Sequence, residues 1–168
     1  MKNLLLFTFL SVFLLSCNGN AQKKSDKSSS KNYEVSKSEE EWKKELTPQE
    51  FAVLRKAGTE TAFTSDLLDV KEPGTFVCAA CGNELYKTKN KFDSGTGWPS
   101  FDRALDGAVA YGAGNVNGYM GVEVHCARCG GHLGHVFSDG PRETTGKRHC
   151  INGVALDFEP EEKKDEKI

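Results

Sequence analysis

Residues 78–85 read CAACGNEL and residues 126–133 read CARCGGHL, so the chain repeats the pattern C-x-x-C-G-x-x-L. Each copy predicts a tight turn, or knuckle, whose two thiols face one point, and Gly82 and Gly130 allow the positive φ that such a turn needs. Four sulfurs are the ligand set of a tetrahedral structural zinc site. The repeat therefore predicts one bound Zn²⁺ that joins two distant segments of the chain. Its ligands are Cys78, Cys81, Cys126 and Cys129.

Two disulfides are the alternative use of these four cysteines, since disulfides are favoured in oxidising compartments. A disulfide framework does not require two matched knuckles, whereas a zinc site does, and zinc is therefore the preferred interpretation. Bound zinc would contribute on the order of 10 kcal/mol to the stability of a small domain.

The composition fits one domain of ordinary size with attached segments. The chain has 168 residues, of which 38% are hydrophobic and 27% charged, enough for a modest core and too apolar for a wholly disordered chain. Its formal net charge of −2 lacks the basic excess typical of nucleic-acid-binding proteins, so no nucleic-acid partner is expected.

The first 37 residues predict an export signal followed by a tether. Lys2 precedes twelve uncharged residues at 4–15, a run too short to span a membrane and typical of a secretory signal peptide over 1–16. The run ends in LLSC, which resembles the lipobox of bacterial lipoprotein precursors and predicts lipidation of Cys17. An ordinary signal with a chance cysteine is the alternative. Polar residues 17–37 predict a flexible tether, and the whole predicts a membrane-tethered lipoprotein on the periplasmic side of a bacterial cell envelope.

The segment that follows predicts a mainly β fold with a small helical N-terminal part, over residues 38–160. In LTPQEFAVLRKAG, Thr47 and Glu50 form a capping box, Pro48 begins the helix and Gly58 ends it. An earlier stretch, EEEWKKEL, predicts a further turn that docks Trp42. Beyond Gly74, short aromatic and β-branched runs between turn residues predict antiparallel strands. Residues 161–168 form a charged tail.

Cys150 is left without an assignment once lipid and zinc have taken the other five cysteines. It lies in GKRHCINGVALDF, residues 146–158. If RHCIN is a strand, the side chains of Arg148, Cys150 and Asn152 share one face. A guanidinium beside a thiol stabilises the thiolate and lowers its pKa from about 8.5 into a range of roughly 3.5–7.5. The amide of Asn152 is suited to orienting a polar ligand.

Two histidines and a tryptophan complete the candidate site, and each also has a simpler explanation. In GHLGHVF the glycines favour a loop that places His132 and His135 at the rim of a pocket. Alternatively, His132 packs behind a knuckle, the H-x-x-H pair binds metal, or Cys150 is core filler. Trp98, in FDSGTGWPSFD, could likewise be a core residue of a buried turn.

Four motifs in this order resemble the B-type methionine sulfoxide reductase family: SGTGWPSF, the two knuckles, GGHLGHVFSDGP and RHCING. The resemblance covers about residues 38–160. It implies a β-tent-like core of two antiparallel sheets with zinc opposite the active site. It also implies reduction of the R epimer of methionine sulfoxide in oxidised proteins, with a thioredoxin-like protein or a small thiol as reductant. A monomer is expected.

The resemblance also implies roles for individual residues. Cys150 matches the nucleophile that attacks the sulfoxide sulfur and becomes a sulfenic acid. His132 and His135 match residues that polarise or protonate the departing oxygen, Arg148 one that stabilises the thiolate, and Asn152 one that orients. Trp98 and Phe137 match aromatic walls that hold the substrate's methyl group.

Two positions depart from the family pattern. Thr96 occupies the position at which many members have a second, resolving cysteine, so an intramolecular disulfide with Cys150 is in doubt. His149 replaces the usual tyrosine before the nucleophile, and strand alternation predicts that it points away from the pocket. Two rival classes remain at this point: a lipid-tethered zinc module that binds a partner protein, and a thiol–disulfide oxidoreductase that uses a metal-free C-x-x-C.

Overall fold

A computed structural model describes residues 32–112 and 121–162, in which two short helices precede a set of antiparallel strands. The helices are α1 (Glu39–Glu45) and α2 (Pro48–Lys56). The strands are β1 (Gly74–Cys78), β2 (Glu84–Lys87), β3 (Lys91–Phe92), β4 (Ser100–Phe101), β5 (Val109–Tyr111), β6 (Val122–Cys126), β7 (His132–Phe137), β8 (Arg148–Ile151) and β9 (Leu156–Pro160).

Both helices begin at a capping box, which satisfies backbone N–H groups that have no partner within the helix. Ser38 and Glu41 form the box of α1, and Thr47 and Glu50 that of α2, with Pro48 at the first helical position. Trp42 on α1 is 2% exposed and packs between charged groups of Lys37 and Arg55, each 4.9 Å from its ring. The predicted docking of Trp42 on the core is confirmed.

Helix α2 ends one residue earlier than the sequence predicts. Ala57, not Gly58, adopts the left-handed conformation, with φ of 54°. Gly58 then donates its N–H to the carbonyl of Ala52 at 2.9 Å, and a Cβ at this position would lie 2.8 Å from the same oxygen. The glycine is thus required by the close approach of the chain to the last turn of the helix.

The strands form two antiparallel sheets, as predicted. One sheet has three strands in the order β2-β1-β9, and the other has six in the order β3-β4-β8-β7-β6-β5. The described residues are therefore mainly β with a small helical N-terminal part, and the predicted fold class is confirmed. The six-stranded sheet places β8, which contains Cys150, between β4 and β7.

Aromatic side chains fill the core on the inner face of the larger sheet. The rings of Tyr86 and Phe101 stack at 4.3 Å, and Phe76 meets Phe101 edge-on at 5.0 Å. His149 joins this group: it is 1% exposed, and its Nδ1 lies 3.1 Å from the Tyr86 hydroxyl. His149 thus points to the opposite face of β8 from Cys150, as strand alternation predicts.

Burial of His149 makes the stability of the fold depend on pH. Burial, with a smaller contribution from the positive charge of Lys147, lowers the pKa of His149 to about 4, against about 6.5 for an unfolded histidine. Because the unfolded chain takes up the proton first, stability is lost as the pH falls from about 6.5 towards 4. The difference corresponds to on the order of 3 kcal/mol across this window.

We expect His149→Phe, which cannot titrate, to flatten the decline in melting temperature between pH 7 and pH 5. The variant loses the hydrogen bond to Tyr86 and should therefore have a lower melting temperature at pH 7. The informative quantity is the slope of melting temperature against pH. Thermal melts of both proteins across this range provide the measurement, and parallel slopes would show that His149 is not the titrating group.

The predictions for the first residues and for the tail lie largely outside the described part of the chain. The signal peptide over 1–16, Cys17, most of the tether over 17–37 and most of the tail over 161–168 belong to this group. They remain predictions. Among the residues that are described, no helix has the length and apolar character required to cross a membrane.

Candidate active site and metal centre

The two knuckles meet, although 44 residues separate them in sequence. Gly82 and Gly130 have φ of 67° and 71°, as the tight turns require. All four cysteines are free thiols, and their sulfur atoms lie within 4.8 Å of one another. Two of these distances cross between the knuckles: Cys81 Sγ lies 3.6 Å from Cys126 Sγ, and Cys78 Sγ lies 3.8 Å from Cys129 Sγ.

These distances fit a metal site and not a pair of disulfides. A disulfide has a sulfur–sulfur distance of about 2.05 Å. Four thiolates at about 2.3 Å from a tetrahedral Zn²⁺ would lie about 3.8 Å apart, which matches the cross-knuckle distances. Asn83 supports the cluster, because its side-chain amide lies 3.6 Å from Cys126 Sγ and 3.1 Å from the carbonyl of Ala108.

Cys150 belongs to a row of polar side chains that crosses the larger sheet. Ser100 on β4 and His135 on β7 are the direct cross-strand partners of Cys150, and Glu123 on β6 is the partner of His135. Directly paired residues of antiparallel strands project from the same face. The register therefore brings a buried hydroxyl together with a thiol, an imidazole and a carboxylate that are half-buried, all on one face of the sheet.

His132 joins this row because β7 contains a bulge. Glu123 and Val124 pair with His135 and Gly134, but His125 pairs with His132, so Leu133 is the extra residue. Residues three apart face opposite sides of a regular strand, and one inserted residue reverses this. The two imidazole rings consequently meet edge-on at 5.3 Å, and His132 Nδ1 lies 2.8 Å from Glu123 Oε1.

The prediction of a loop at GHLGHVF is thus wrong, because residues 132–137 form a strand of the larger sheet. The glycine signal has a different cause. A Cβ at Gly134 would lie 2.1 Å from the carbonyl oxygen of Cys150, so the glycine allows β7 to approach β8 closely. His132 is 5% exposed, whereas His135 is half-buried, with a pKa lowered by burial and by the neighbouring His132.

The Cys150 thiol is half-buried and has two polar neighbours. The hydroxyl of Thr96 lies 3.9 Å from its sulfur, and the guanidinium of Arg148 interacts with it from the same strand. Burial raises the pKa of Cys150 above its ordinary value, while the positive charge of Arg148 acts in the opposite direction, as would any hydrogen bond that the Thr96 hydroxyl donated to the sulfur. The sequence predicts a pKa below that value, whereas in this structure the effect of burial is the larger one.

Arg148 is held in place by two contacts besides its interaction with Cys150. It donates two hydrogen bonds, of 2.9 and 2.8 Å, to the carboxylate oxygens of Asp139, and it lies 4.5 Å from the ring centre of Phe137. A bidentate pair and a cation–π contact fix both the position and the plane of a guanidinium. Phe137 therefore lies beside Arg148 at the edge of the polar row.

Asn152 differs from its predicted position on the face shared by Arg148 and Cys150. Strand β8 ends at Ile151, and Asn152 is 3% exposed at the start of a short 3₁₀ turn. Its amide nitrogen donates to the carbonyl of Leu133, and its amide oxygen accepts from the N–H of Glu60. The side chain thus links strand β7 and the backbone of Glu60 to the segment that begins two residues after Cys150.

Trp98 lies in the loop before β4 and is half-buried. Its indole N–H donates to the carbonyl of Glu60 at 3.3 Å, which ties this loop to the same region as Asn152. A cavity of about 580 Å³ is lined in part by Ser94, Trp98 and Ser100, but Cys150 is not among its lining residues.

Three carboxylates support the site and were not singled out in the sequence. Glu123 contacts His132, Asp139 holds Arg148, and the buried Glu60 accepts hydrogen bonds from the N–H groups of Gly153 and Val154. Glu123 precedes the second knuckle in the alternating run VEVHC, and only the strand register reveals that it faces His135. Asp139 directly follows GHLGHVFS, and its position next to this motif is the sequence signal that points to it.

Comparison with known proteins assigns the chain to a family. A model of the SelR domain matches residues 46–160. A peptide methionine sulfoxide reductase MsrB from Leifsonia xyli subsp. xyli is 51% identical over 131 residues, covering 77% of this chain and 94% of that protein. The relative of the same name from Leptospira interrogans is 52% identical over 131 residues, covering 77% and 99%. The one from Methanosarcina barkeri is 53% identical over 129 residues, covering 76% and 90%.

The fold and the site define a mainly β protein with a paired four-cysteine knuckle and a separate single thiol in a histidine-rich row. The chain belongs to the SelR family, that of the B-type peptide methionine sulfoxide reductases. The predicted family is therefore confirmed, and the rival readings as a binding module or a C-x-x-C oxidoreductase lose their support.

Proposed function

We propose that this protein reduces the R epimer of methionine sulfoxide in proteins, with Cys150 as the nucleophile. The observation that supports this most directly is the row across the sheet, in which Cys150 lies between Ser100 and His135. Family membership supports the reaction class, and the free, half-buried thiol supports the assignment of the nucleophile. Zn²⁺ held by the two knuckles would have a structural role.

The first half-reaction leaves one oxygen on the enzyme and methionine as the product. The Cys150 thiolate attacks the sulfoxide sulfur and forms a sulfur–sulfur bond, while the sulfur–oxygen bond of the substrate breaks and its protonated oxygen leaves as water. A water molecule then attacks the cysteine sulfur, and methionine leaves with the electron pair of the sulfur–sulfur bond. The net change is that a thiol and a sulfoxide become a sulfenic acid and a thioether, so the cysteine is oxidised by two electrons and the methionine sulfur is reduced by two. The oxygen must be protonated during this exchange.

His132 and His135 are the proposed source of that proton. His132 can deliver a proton from Nε2 while its Nδ1–H donates to the Glu123 carboxylate, so the ring that delivers the proton is the doubly protonated one. His135 is directly opposite Cys150, and its lowered pKa favours a neutral ring in the resting enzyme. We therefore assign proton delivery to His132, paired with Glu123, and polarisation of the oxygen to His135.

Trp98, Phe137, Arg148 and Asn152 are proposed to shape the site around this chemistry. Trp98 and Phe137 would hold the methyl group of the substrate, and a shaped apolar wall selects one epimer because it determines where the oxygen lies. Arg148, fixed by Asp139, would stabilise the thiolate. Asn152 would act indirectly, by anchoring the chain on both sides of the site.

Regeneration of Cys150 is proposed to depend on an external thiol. Thr96 lies 3.9 Å from the Cys150 sulfur at the position where many members have a resolving cysteine. The other four cysteines in the described ranges form the knuckle cluster. A thioredoxin-like protein or a small thiol would therefore condense with the sulfenic acid, releasing water, and a second thiol would reduce the resulting disulfide.

Single turnover without reductant tests this scheme. The zinc-loaded protein is mixed with one equivalent of a peptide methionine-R-sulfoxide, treated with dimedone and weighed intact. We expect one dimedone adduct, mapped to Cys150, because a sulfenic acid forms a disulfide only with a thiol it can reach. A species two hydrogens lighter, mapped to a disulfide of Cys150, would contradict it. Thr96→Cys is the matched variant and should replace the adduct with that disulfide.

We also propose that the protein is exported and tethered by lipid on Cys17. The support is the sequence of residues 1–37, with its basic start, apolar run, LLSC and polar tether. Repair of oxidised exported proteins would follow from this location. Mass spectrometry of the mature N-terminal peptide tests the proposal, since an acylated Cys17 is expected and an unmodified residue would contradict it.

A further inference from the structure

A chain of three hydroxyl groups leads from a backbone carbonyl to the Cys150 sulfur. The Ser100 hydroxyl donates to the carbonyl of Trp98 at 3.1 Å and lies 2.7 Å from the Ser94 hydroxyl. Ser94 in turn lies 2.8 Å from the Thr96 hydroxyl, which lies 3.9 Å from Cys150 Sγ. Ser100 is 1% exposed, so the first member of the chain is shielded from water.

Counting donors favours one direction for this series of hydroxyls. A carbonyl can only accept, and each hydroxyl has one proton to donate. The arrangement that gives the Trp98 carbonyl a donor uses the proton of Ser100, so in it Ser94 donates to Ser100, and Thr96 donates to Ser94. Ser94 also accepts the backbone N–H of Thr96 at 3.4 Å, which agrees with its role as an acceptor. Thr96 therefore presents a lone pair, and no proton, to Cys150.

We propose that Ser100 and Ser94 are positioning residues that hold the Thr96 hydroxyl as an acceptor of the Cys150 S–H, and thereby oppose thiolate formation in the resting enzyme. A thiolate can receive a hydrogen bond from Thr96 only if the Thr96 proton leaves Ser94. The hydrogen bonds along the three hydroxyls must then reverse their direction, or one of them is lost. Reversal leaves the Trp98 carbonyl without its donor, the buried Ser100 hydroxyl. The significance for catalysis rests on Cys150 being the nucleophile, as proposed above.

Charged and titratable groups approach the thiol from its own strand and from the neighbouring elements. On β8, Arg148 favours the thiolate, and the carboxylate of Asp139 bound to Arg148 opposes it. From β7 and β6, His135, His132 and Glu123 face the same row. In the loop before β4, residues 93–99, the charged residue is Asp93, whose carboxylate accepts the N–H of Gly95. The serine variants leave all these charged and titratable groups in place. A change in the pKa of Cys150 in those variants therefore reports on the hydroxyls.

Alkylation of Cys150 across pH provides the test, with the full zinc-loaded chain, iodoacetamide as the probe and the Cys150 peptide quantified by mass spectrometry. Ser94→Ala releases the Thr96 proton, and Ser100→Ala releases that of Ser94. Each should lower the pKa of Cys150 by about half to one unit, the size of one net hydrogen bond. The alkylation rate well below this pKa should then rise about 3- to 10-fold.

A double variant distinguishes the chain from a general loosening of the loop. In a Thr96→Val background, Ser94→Ala should no longer shift the pKa, because the link to the sulfur is gone. Thr64→Ala is the control. It removes a hydroxyl that donates to the carbonyl of Thr61 and is not one of the three linked hydroxyls, so it should leave the pKa of Cys150 unchanged.

An unchanged or raised pKa in Ser94→Ala, or a shift that persists in the Thr96→Val background, would overturn the proposal. Ser94 is half-buried, so its variant decides the matter even if Ser100→Ala fails to fold. Alkylation does not require turnover. An inactive protein with the expected shifts would therefore refute the proposed function and leave the hydroxyl chain standing.

Discussion

Replacing Cys150 with serine is expected to abolish reduction of methionine-R-sulfoxide, with a loss of at least about 1,000-fold in turnover. The reason is chemical: a serine hydroxyl is far less acidic than a thiol, and His135 opposite it has a lowered pKa that does not suit deprotonation of an alcohol. The assay is methionine release from an oxidised peptide, with an excess of small thiol as reductant.

The fold of this variant should be unaffected. Oxygen is slightly smaller than sulfur, and the half-exposed face of β8 leaves room for adjustment. We therefore expect the zinc content and melting temperature of the wild type. Thr64→Ala, which changes a hydroxyl outside the site, should be fully active. If Cys150→Ser retained as much as a tenth of wild-type turnover, another group would have to be the nucleophile.

Replacing Cys126 with serine should instead destabilise the whole domain. Cys126 is fully buried at the end of β6, and its sulfur lies 3.6 Å from that of Cys81 in the other knuckle. Loss of one ligand weakens a metal site whose binding energy is on the order of 10 kcal/mol and is coupled to folding. We expect loss of bound zinc, a large fall in melting temperature and, as a consequence, loss of activity.

Cys150→Ser is the matched control, because it makes the same substitution at a cysteine outside the cluster. Metal analysis and thermal melts of the two variants should separate the two roles: zinc and stability are lost in one, and turnover alone in the other. A Cys126→Ser protein that kept the wild-type melting temperature would show that the knuckles do not hold a structural metal.

The features that the sequence predicts well are those set by short-range chemistry. The capping box at Thr47 and Glu50 is a local hydrogen-bond pattern, and the positive φ of Gly82 and Gly130 follows from the tight turn of each knuckle. The two matched knuckles predict that they lie side by side in the fold, because the four sulfurs of one tetrahedral metal site must lie close together. The inward direction of His149 follows from simple alternation along β8.

The errors arise where strand register or burial decides the outcome. Gly134 reads as a loop signal, but its cause is the carbonyl of Cys150, which lies on another strand. The pairing of Glu123 with His135, and the bulge that brings His132 to the same face, depend on β6 and β7 lying side by side. The pKa of Cys150 depends on how deeply the fold buries the thiol. The presence of Arg148 two residues earlier does not indicate this depth.

Turnover of the two epimers of one oxidised peptide by the full-length, zinc-loaded protein tests most directly whether the protein is an R-specific reductase that uses Cys150. With a small thiol as reductant, we expect methionine to form from the R-sulfoxide at a rate that Cys150→Ser abolishes, and no detectable methionine from the S-sulfoxide. Equal rates on both epimers, or turnover of the S epimer alone, would show that the protein is not an R-specific reductase.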